Sequence, residues 1–162
     1  RAIELAEKVM FRLLLKAASR LRRMNYYSSR LSLSIKTEKG LRLEDKSTFY
    51  RACDNKKLLE ESRKIWKNLI KNKKIIKIKK ISVTLYKLEK KNELQPSLFE
   101  NFDKKIILNT NRFEKISQTM DTINSRFGRD SVTLGEIPNK IKSFSGTRIA
   151  FTRIPAKQEF HE

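Results

Sequence analysis

The side chains that could support catalysis are few and widely separated in this sequence. Transfer of a phosphoryl or nucleotidyl group needs clustered carboxylates that hold metal ions, and the adjacent acidic pairs stand at 44–45 and 60–61. We interpret both pairs as solvated charges. Cys53 is the one cysteine and His161 the one histidine, which excludes a disulfide and a Cys/His zinc site. We therefore expect no catalytic residue, metal or cofactor within this chain.

A different chemistry is indicated by hydroxyls and cations that alternate with apolar residues. The alternation is clear from Ser29 to Lys36 and returns in two later segments. On a half-buried strand, such a pattern places the polar side chains on the open face of a sheet. Each of them can donate a hydrogen bond to phosphate. The candidate phosphate-binding residues are Arg30, Ser32, Ser34, Lys36, Arg42, Lys46, Ser47, Thr48, Lys80, Ser82 and Thr84.

The charge of the chain points to a polyanionic partner. The 162 residues include 38 Lys and Arg against 18 Asp and Glu, a net charge of +20, and residues 1–91 hold 27 of the basic and 9 of the acidic side chains. Solubility is served by a net charge of about 2 to 8 in a small domain, so the excess favours nucleic-acid binding. Tyr86 is the only aromatic predicted on the open face, which favours contacts to a duplex backbone over base stacking.

The elements that must position these residues begin with a helix and a hairpin. Apolar residues at steps of three and four predict a helix over residues 2–24. The period then changes to two, which predicts a strand beginning at Ser29. Gly40 marks a turn, after which the alternation resumes in a second strand antiparallel to the first.

A second helix and a third strand complete the predicted domain. Asp54 is expected to cap the helix, and the strand lies within residues 75–87. Its alternation changes parity near Lys79, which indicates either a bulge there or a later start. Two helices and at least three strands fit a two-layer α+β sandwich, in which the helices cover one face of an antiparallel-type sheet.

The composition changes after Lys91. Residues 92–110 form a polar connection, and 111–162 form a C-terminal extension that contains one helix. Asn111 and Glu114 have the spacing of a capping box at the start of that helix. Gly128 is the predicted residue at which the helix ends.

The order of these features along the chain resembles the C-terminal little-finger domain of Y-family translesion DNA polymerases, the DNA polymerase IV group. The segments that carry the resemblance are 14–22, 29–35, 46–49, the helix from Asp54, and the strand at 81–85. The Gln-Pro-Ser-Leu-Phe sequence at 95–99 is similar to the bacterial sliding-clamp-binding motif. The sequence Ile-Asn-Ser-Arg-Phe-Gly-Arg-Asp at 123–130 looks like a segment that often follows it.

The resemblance implies that residues 1–91 form a sheet of about four strands with two helices on one face, docked on primed duplex DNA. It implies that Gln95, Leu98 and Phe99 bind a bacterial sliding clamp. It also implies upstream palm, fingers and thumb domains, and a requirement for Mg²⁺ and dNTPs in the parent enzyme only. The little finger would grip the DNA backbone and so compensate for an open active site.

Two other functions stay open at the level of the sequence. A structured-RNA-binding or ribosome-associated protein would share the small, basic α+β domain, although it would not need the peptide at 95–99. A self-contained enzyme is disfavoured by the scattered carboxylates. No stretch has the length and apolarity of a membrane span, so we expect a cytoplasmic protein. The absence of an initiator methionine before Arg1 suggests a piece of a longer chain.

Overall fold

The computed structural model describes residues 2–71, 77–93, 104–128 and 131–134. It has an α+β arrangement of three helices and a three-stranded antiparallel sheet, which confirms the predicted fold class. A fourth strand, implied by the family resemblance, is not among the described residues. The elements are α1 (Ile3–Arg23), β1 (Tyr26–Thr37), β2 (Arg42–Ala52), α2 (Asn55–Lys71), β3 (Ile78–Lys90), a short 3₁₀ helix (Lys91–Glu93) and α3 (Lys104–Phe127).

Helix α1 follows the predicted apolar stripe. Its inner side buries Ala6, Met10, Leu14 and Ala18 completely, and full burial of a large apolar side chain stabilises a fold by about 1.5–3 kcal/mol. The helix ends where Asn25 adopts a left-handed backbone with φ of 62°. Asparagine tolerates this conformation better than most residues, so the chain can reverse there and enter β1.

The central strand of the sheet is β1, which pairs with β2 on one side and β3 on the other. Leu31, Leu33 and Ile35 are fully buried under the helices. The β1–β2 turn passes through Gly40, whose φ of 85° is easily reached without a Cβ atom. In β3, the register against β1 skips Lys79, which confirms a bulge at the position where the sequence changes parity.

Helix α2 is capped as predicted. The Asp54 side chain accepts a hydrogen bond at 2.8 Å from the backbone N–H of Lys57, three residues on. Leu58, Ile65 and Trp66 lie on the buried side of the helix and join the core cluster. The interpretation of Trp66 as a core residue is therefore confirmed.

Helix α3 begins at Lys104, seven residues before the predicted capping box. The residues before Asn111 are already helical, so their carbonyls accept hydrogen bonds from the backbone N–H groups that a capping side chain would otherwise bond. Glu114 instead makes tertiary contacts: its carboxylate accepts a hydrogen bond at 2.9 Å from the Tyr27 hydroxyl and forms an ion pair with Lys91. Burial, together with the bond and charge of Glu114, raises the pKa of Tyr27 above its usual value, so the phenol stays a donor.

The predicted end of α3 is confirmed. Gly128 has a φ of 101° and terminates the helix. The Asn124 side chain then exchanges two hydrogen bonds of 2.9 Å with the backbone of Val132. This pairing turns the chain back, so that Leu134 packs against the main core.

A buried guanidinium joins α3 to the rest of the domain. The side chain of Arg22, only 3% exposed, donates to both carboxylate oxygens of Asp121 at 2.6 and 2.8 Å. It also donates to the Cys53 carbonyl at 2.6 Å and to the Asn55 side chain at 2.9 Å. In addition, the Asn55 backbone N–H donates to Ser117 of α3 at 3.0 Å. The end of α1, the β2–α2 connection and α3 therefore meet at one polar cluster.

We expect Asp121→Ala to lower the free energy of unfolding by about 2–3 kcal/mol, because two charge-assisted hydrogen bonds to Arg22 are lost. Urea unfolding measures this change. Cys53 gives a second readout. Burial and the charge of Glu114 raise the pKa of its buried thiol to about 12, so we expect slow reaction with alkylating reagents while α3 is docked. Its alkylation should become faster in the variant.

The matched control is Ser125→Ala, at an exposed position on the same helix. It should change neither the stability nor the alkylation rate by a measurable amount. If the Asp121 and Ser125 variants had equal free energies of unfolding and equal alkylation rates, the Arg22 cluster would not hold α3 in place.

Candidate nucleic-acid interface

The face of the sheet that the helices leave open carries polar side chains in ordered rows. Alternate residues of β1 point away from the core, and each pairs with one residue of β2 and one of β3. We call such a set of three a rung. The four rungs are Thr48–Arg30–Tyr86, Lys46–Ser32–Thr84, Glu44–Ser34–Ser82 and Arg42–Lys36–Lys80.

Ten of the eleven candidate phosphate-binding residues lie on these rungs, so the structure brings most of the predicted set onto one surface. Five of the ten are cations and five are hydroxyl side chains. The ten are Arg30, Ser32, Ser34, Lys36, Arg42, Lys46, Thr48, Lys80, Ser82 and Thr84. Their outward placement follows from the period of two that the sequence shows.

Ser47 is the exception, and its placement on the open face was wrong. It pairs with the buried Leu31 and faces α2, because its neighbours Lys46 and Thr48 occupy the outward positions. Its hydroxyl donates a hydrogen bond at 2.6 Å to the carboxylate of Glu61. Ser47 therefore has a structural partner on the helical side of the sheet.

The carboxylate of Glu61 is a buried anion with several donors around it. Its side chain is 5% exposed and forms ion pairs with Lys57 at 3.0 Å and Lys64 at 2.9 Å. Burial by itself raises the pKa of a carboxyl group, but the hydrogen bonds from Lys64, Ser47 and Lys57 outweigh it and lower the pKa of Glu61 to about 2. Glu61 thus tethers α2 to β2, so its interpretation as a solvated charge was wrong, whereas Glu60 is exposed.

Glu44 is a member of the open face that the sequence analysis did not assign to it. It shares a rung with Ser34, is exposed, and accepts a hydrogen bond at 2.8 Å from the Ser32 hydroxyl. The alternation of β2 indicated this placement, because Glu44 lies two residues from both Arg42 and Lys46, and residues two apart on a strand lie on the same face of the sheet. Its charge opposes the surrounding cations.

An exposed aromatic residue also lies near this surface. Between the Thr48 pair and the Ala52 pair, β2 carries three residues where β1 carries one, so the strand bulges. The buried Ser28 hydroxyl supports this end of the sheet through bonds of 2.8 and 2.9 Å to the Arg30 and Tyr86 carbonyls. Tyr50 lies in the bulge and is 61% exposed.

The last rung concentrates positive charge. Arg42, Lys36 and Lys80 stand side by side on three adjacent strands, and all three are exposed. Like charges directly opposite each other destabilise a sheet. The Arg42 guanidinium also donates to Ser34 at 3.3 Å, which draws it over the face. An anion placed above this rung would relieve the repulsion and accept hydrogen bonds from all three side chains.

A comparison with protein families identifies the domain. A family model described as "impB/mucB/samB family C-terminal domain" matches residues 1–98, more than half of the chain. The chain belongs to this family. The matched region is the little finger of Y-family DNA polymerases, which confirms the resemblance drawn from the sequence. Comparison with curated proteins and with solved structures gives no significant match.

Three further expectations concern the clamp-binding segment, metal sites and membrane spans. Gln95, Leu98 and Phe99, the predicted clamp-binding residues, lie outside the described residues. In the described ranges, no group of three His, Cys, Asp or Glu side chains could hold a metal ion. No helix in those ranges is long and apolar enough to cross a membrane.

We expect the stability of the little finger to depend on Glu61 between pH 4.5 and 2. The native pKa lies below the usual value of 4.5, so the stabilisation is present above pH 4.5 and is lost as the pH falls towards 2. At neutral pH, Glu61→Gln should cost up to about 3 kcal/mol. The difference from the wild type in urea unfolding should shrink across this window.

Glu60→Gln is the control, since the neighbouring side chain is exposed on the same helix. It should leave the pH profile of stability close to that of the wild type. If the Glu61 variant and the wild type differed in free energy of unfolding by the same amount from pH 7 to pH 2, the stabilising role of the Glu61 carboxylate would be contradicted.

Proposed function

We propose that this little finger grips the phosphate backbone of primed duplex DNA through the open face of its sheet. The observation that carries the proposal is the rung of three adjacent cations, Arg42, Lys36 and Lys80, on a surface with five cations and one carboxylate among the described rungs. Such a rung costs stability in the isolated domain and becomes favourable against phosphates. Membership of a polymerase family supports DNA as the polyanion.

The composition of the open face favours backbone contacts over reading of bases. Apart from Glu44 and Tyr86, its members are cations and short hydroxyl side chains, which donate to phosphate oxygens without sequence preference. Tyr86 is half-buried within the first rung, so it offers little surface for stacking. A grip of this kind suits an enzyme that copies damaged templates, because the contacts do not depend on the identity of the base.

The proposal extends to the parent enzyme. Catalysis, with Mg²⁺ and dNTPs as cofactor and substrates, would belong to palm, fingers and thumb domains upstream of this chain. The little finger would bind the template and primer strands during lesion bypass. The enzyme would act in the cytoplasm of a bacterial cell. Within the chain, we expect no nucleotide incorporation.

We expect the chain to bind primed duplex DNA with a steep salt dependence. If about five phosphates are neutralised, the slope of log K against log salt should be near −4 to −5. Replacing Lys36, Arg42 and Lys80 together with glutamine should flatten the slope by about 2 to 3, because up to three phosphate contacts are lost. Fluorescence anisotropy at several salt concentrations measures both slopes.

Two matched variants make the test specific to the open face. The triple change at Arg112, Lys115 and Arg126 removes the same charge from exposed positions of α3 and should leave the slope nearly unchanged. Glu44→Gln removes the opposing carboxylate and should tighten binding several-fold. Equal slopes for the two triple variants would overturn the assignment, and a strong preference for structured RNA over DNA would favour an RNA-binding protein.

We further propose that the segment containing Gln95, Leu98 and Phe99 recruits a bacterial sliding clamp. A glutamine that bonds to backbone groups and two apolar anchors form a peptide-recognition pattern. Each anchor can contribute about 1.5–3 kcal/mol, while ordering the peptide costs much of this gain. The affinity should therefore be in the micromolar range, about −8 kcal/mol or weaker.

A peptide of residues 92–102, titrated into a purified bacterial sliding clamp in a calorimeter, tests this recruitment. We expect micromolar binding that is lost when Leu98 and Phe99 are both replaced by alanine. Binding that is indifferent to those two changes, or no binding, would show that the segment has another role. The outcome does not bear on DNA binding by the open face.

A further inference from the structure

The open face accounts for only part of the positive charge of the domain. Residues 1–91 contain 27 basic side chains, and the four rungs contain five of them. Helix α2 alone carries six more. These are Lys56, Lys57, Arg63, Lys64, Lys67 and Lys71.

Three of the α2 cations contact Glu61 or α3. Lys57 and Lys64 form ion pairs with Glu61, and the Lys56 ammonium lies 4.0 Å from the centre of the Phe113 ring of α3. Their positions are explained by packing and by the tether between α2 and β2. They therefore do not by themselves indicate a binding surface.

The other three form what we call the basic ridge: Arg63, Lys67 and Lys71. They are spaced four residues apart, so they lie in a line along the helix, and all three are exposed. Like charges at this spacing repel each other. Glu60, one turn earlier, is exposed at the start of the line, and no other acidic residue of α2 lies on its outer side.

The basic ridge lies on the opposite side of the domain from the open face. The inner side of α2 buries Leu58, Ile65 and Leu69 against the core face of the sheet, and the ridge is on the outer side of the same helix. A helix with its side chains is about 10–12 Å thick, and the sheet adds its own thickness. A straight duplex lying on the open face therefore cannot also touch the ridge.

We propose that the basic ridge is a second contact surface for a nucleic-acid backbone. The ridge covers about 12 Å of helix axis at 1.5 Å per residue. Phosphates of one strand follow each other every 3.4 Å along a duplex, so three to four of them face this length. This proposal rests on the proposed function, which identifies nucleic acid as the ligand. It adds a second binding surface for that ligand, on α2 rather than on the open face.

The chemistry of the outer side of α2 favours nucleic acid over an acidic protein. Its exposed residues from Glu60 to Lys71 are all polar or charged. Protein interfaces are centred on buried apolar or aromatic anchors, and this surface offers none. A phosphate backbone needs only cations, which the ridge supplies. The Arg63 guanidinium also lies 5.2 Å from the centre of the Phe11 ring of α1, which holds that end of the ridge against the helical layer.

A bridging experiment tests the proposal on the full chain. A biotinylated duplex is immobilised and loaded with the protein at low salt, and capture of a second, fluorescent duplex is measured. We expect the wild type to capture the second duplex. The ridge variant Arg63→Gln/Lys67→Gln/Lys71→Gln should capture about tenfold less while still binding the first duplex through the open face.

The triple change at Arg112, Lys115 and Arg126 again serves as the control of equal charge and should preserve bridging. Light scattering of the complex establishes the number of protein copies. The proposal is wrong if the ridge variant bridges like the wild type, if the wild type binds one duplex but captures no second one, or if bridging occurs only through a protein dimer. Failure of the wild type to bind even the first duplex would instead overturn the proposed function.

Discussion

The buried guanidinium of Arg22 is the constraint on which the arrangement of this domain depends. A charge that is almost completely removed from water must be paired and fully hydrogen-bonded, or the fold loses several kcal/mol. Its partners come from two segments distant in sequence, the β2–α2 connection and α3, and the farthest is Asp121, 99 residues away. The family match ends at residue 98, yet the cluster around Arg22 requires α3. The part of the chain beyond the matched region is therefore structurally integrated with the little finger.

The two layers of the domain divide the charged side chains between two outward surfaces. The period of two in β1 sends apolar residues to the helices and cations to the open face, and the period of the helix sends the remaining α2 lysines to the other side. Burial of the apolar residues of β1 and α2 thus determines on which side the basic side chains of these two elements lie. The buried carboxylate of Glu61 ties these layers together, through Ser47 on the sheet and Lys57 and Lys64 on the helix.

Much of the fold could be predicted because its signals are local. The Asp54 cap follows from a few adjacent residues and is confirmed. The change of parity near Lys79 left a bulge or a later start open, and the structure shows the bulge. Glu44 was missed on the open face although its parity indicated it, since an acidic pair beside a turn was interpreted only as solvated charge. The partners of Arg22 could not be predicted, because a salt bridge between residues 99 positions apart leaves no periodic pattern. The start of α3 was misplaced for a related reason: Glu114 had the spacing of a cap but serves a tertiary contact with Tyr27.

The ion pair between Lys91 and Glu114 joins the end of β3 to α3. The described elements on either side of residues 94–103 are consequently held to each other as parts of one body. A force applied to the chain between β3 and α3 would act on both elements at once. That mechanical load would pass through the Lys91 ion pair and then through α3 to Arg22, so the resistance of the polar cluster would set how much force the connection could bear.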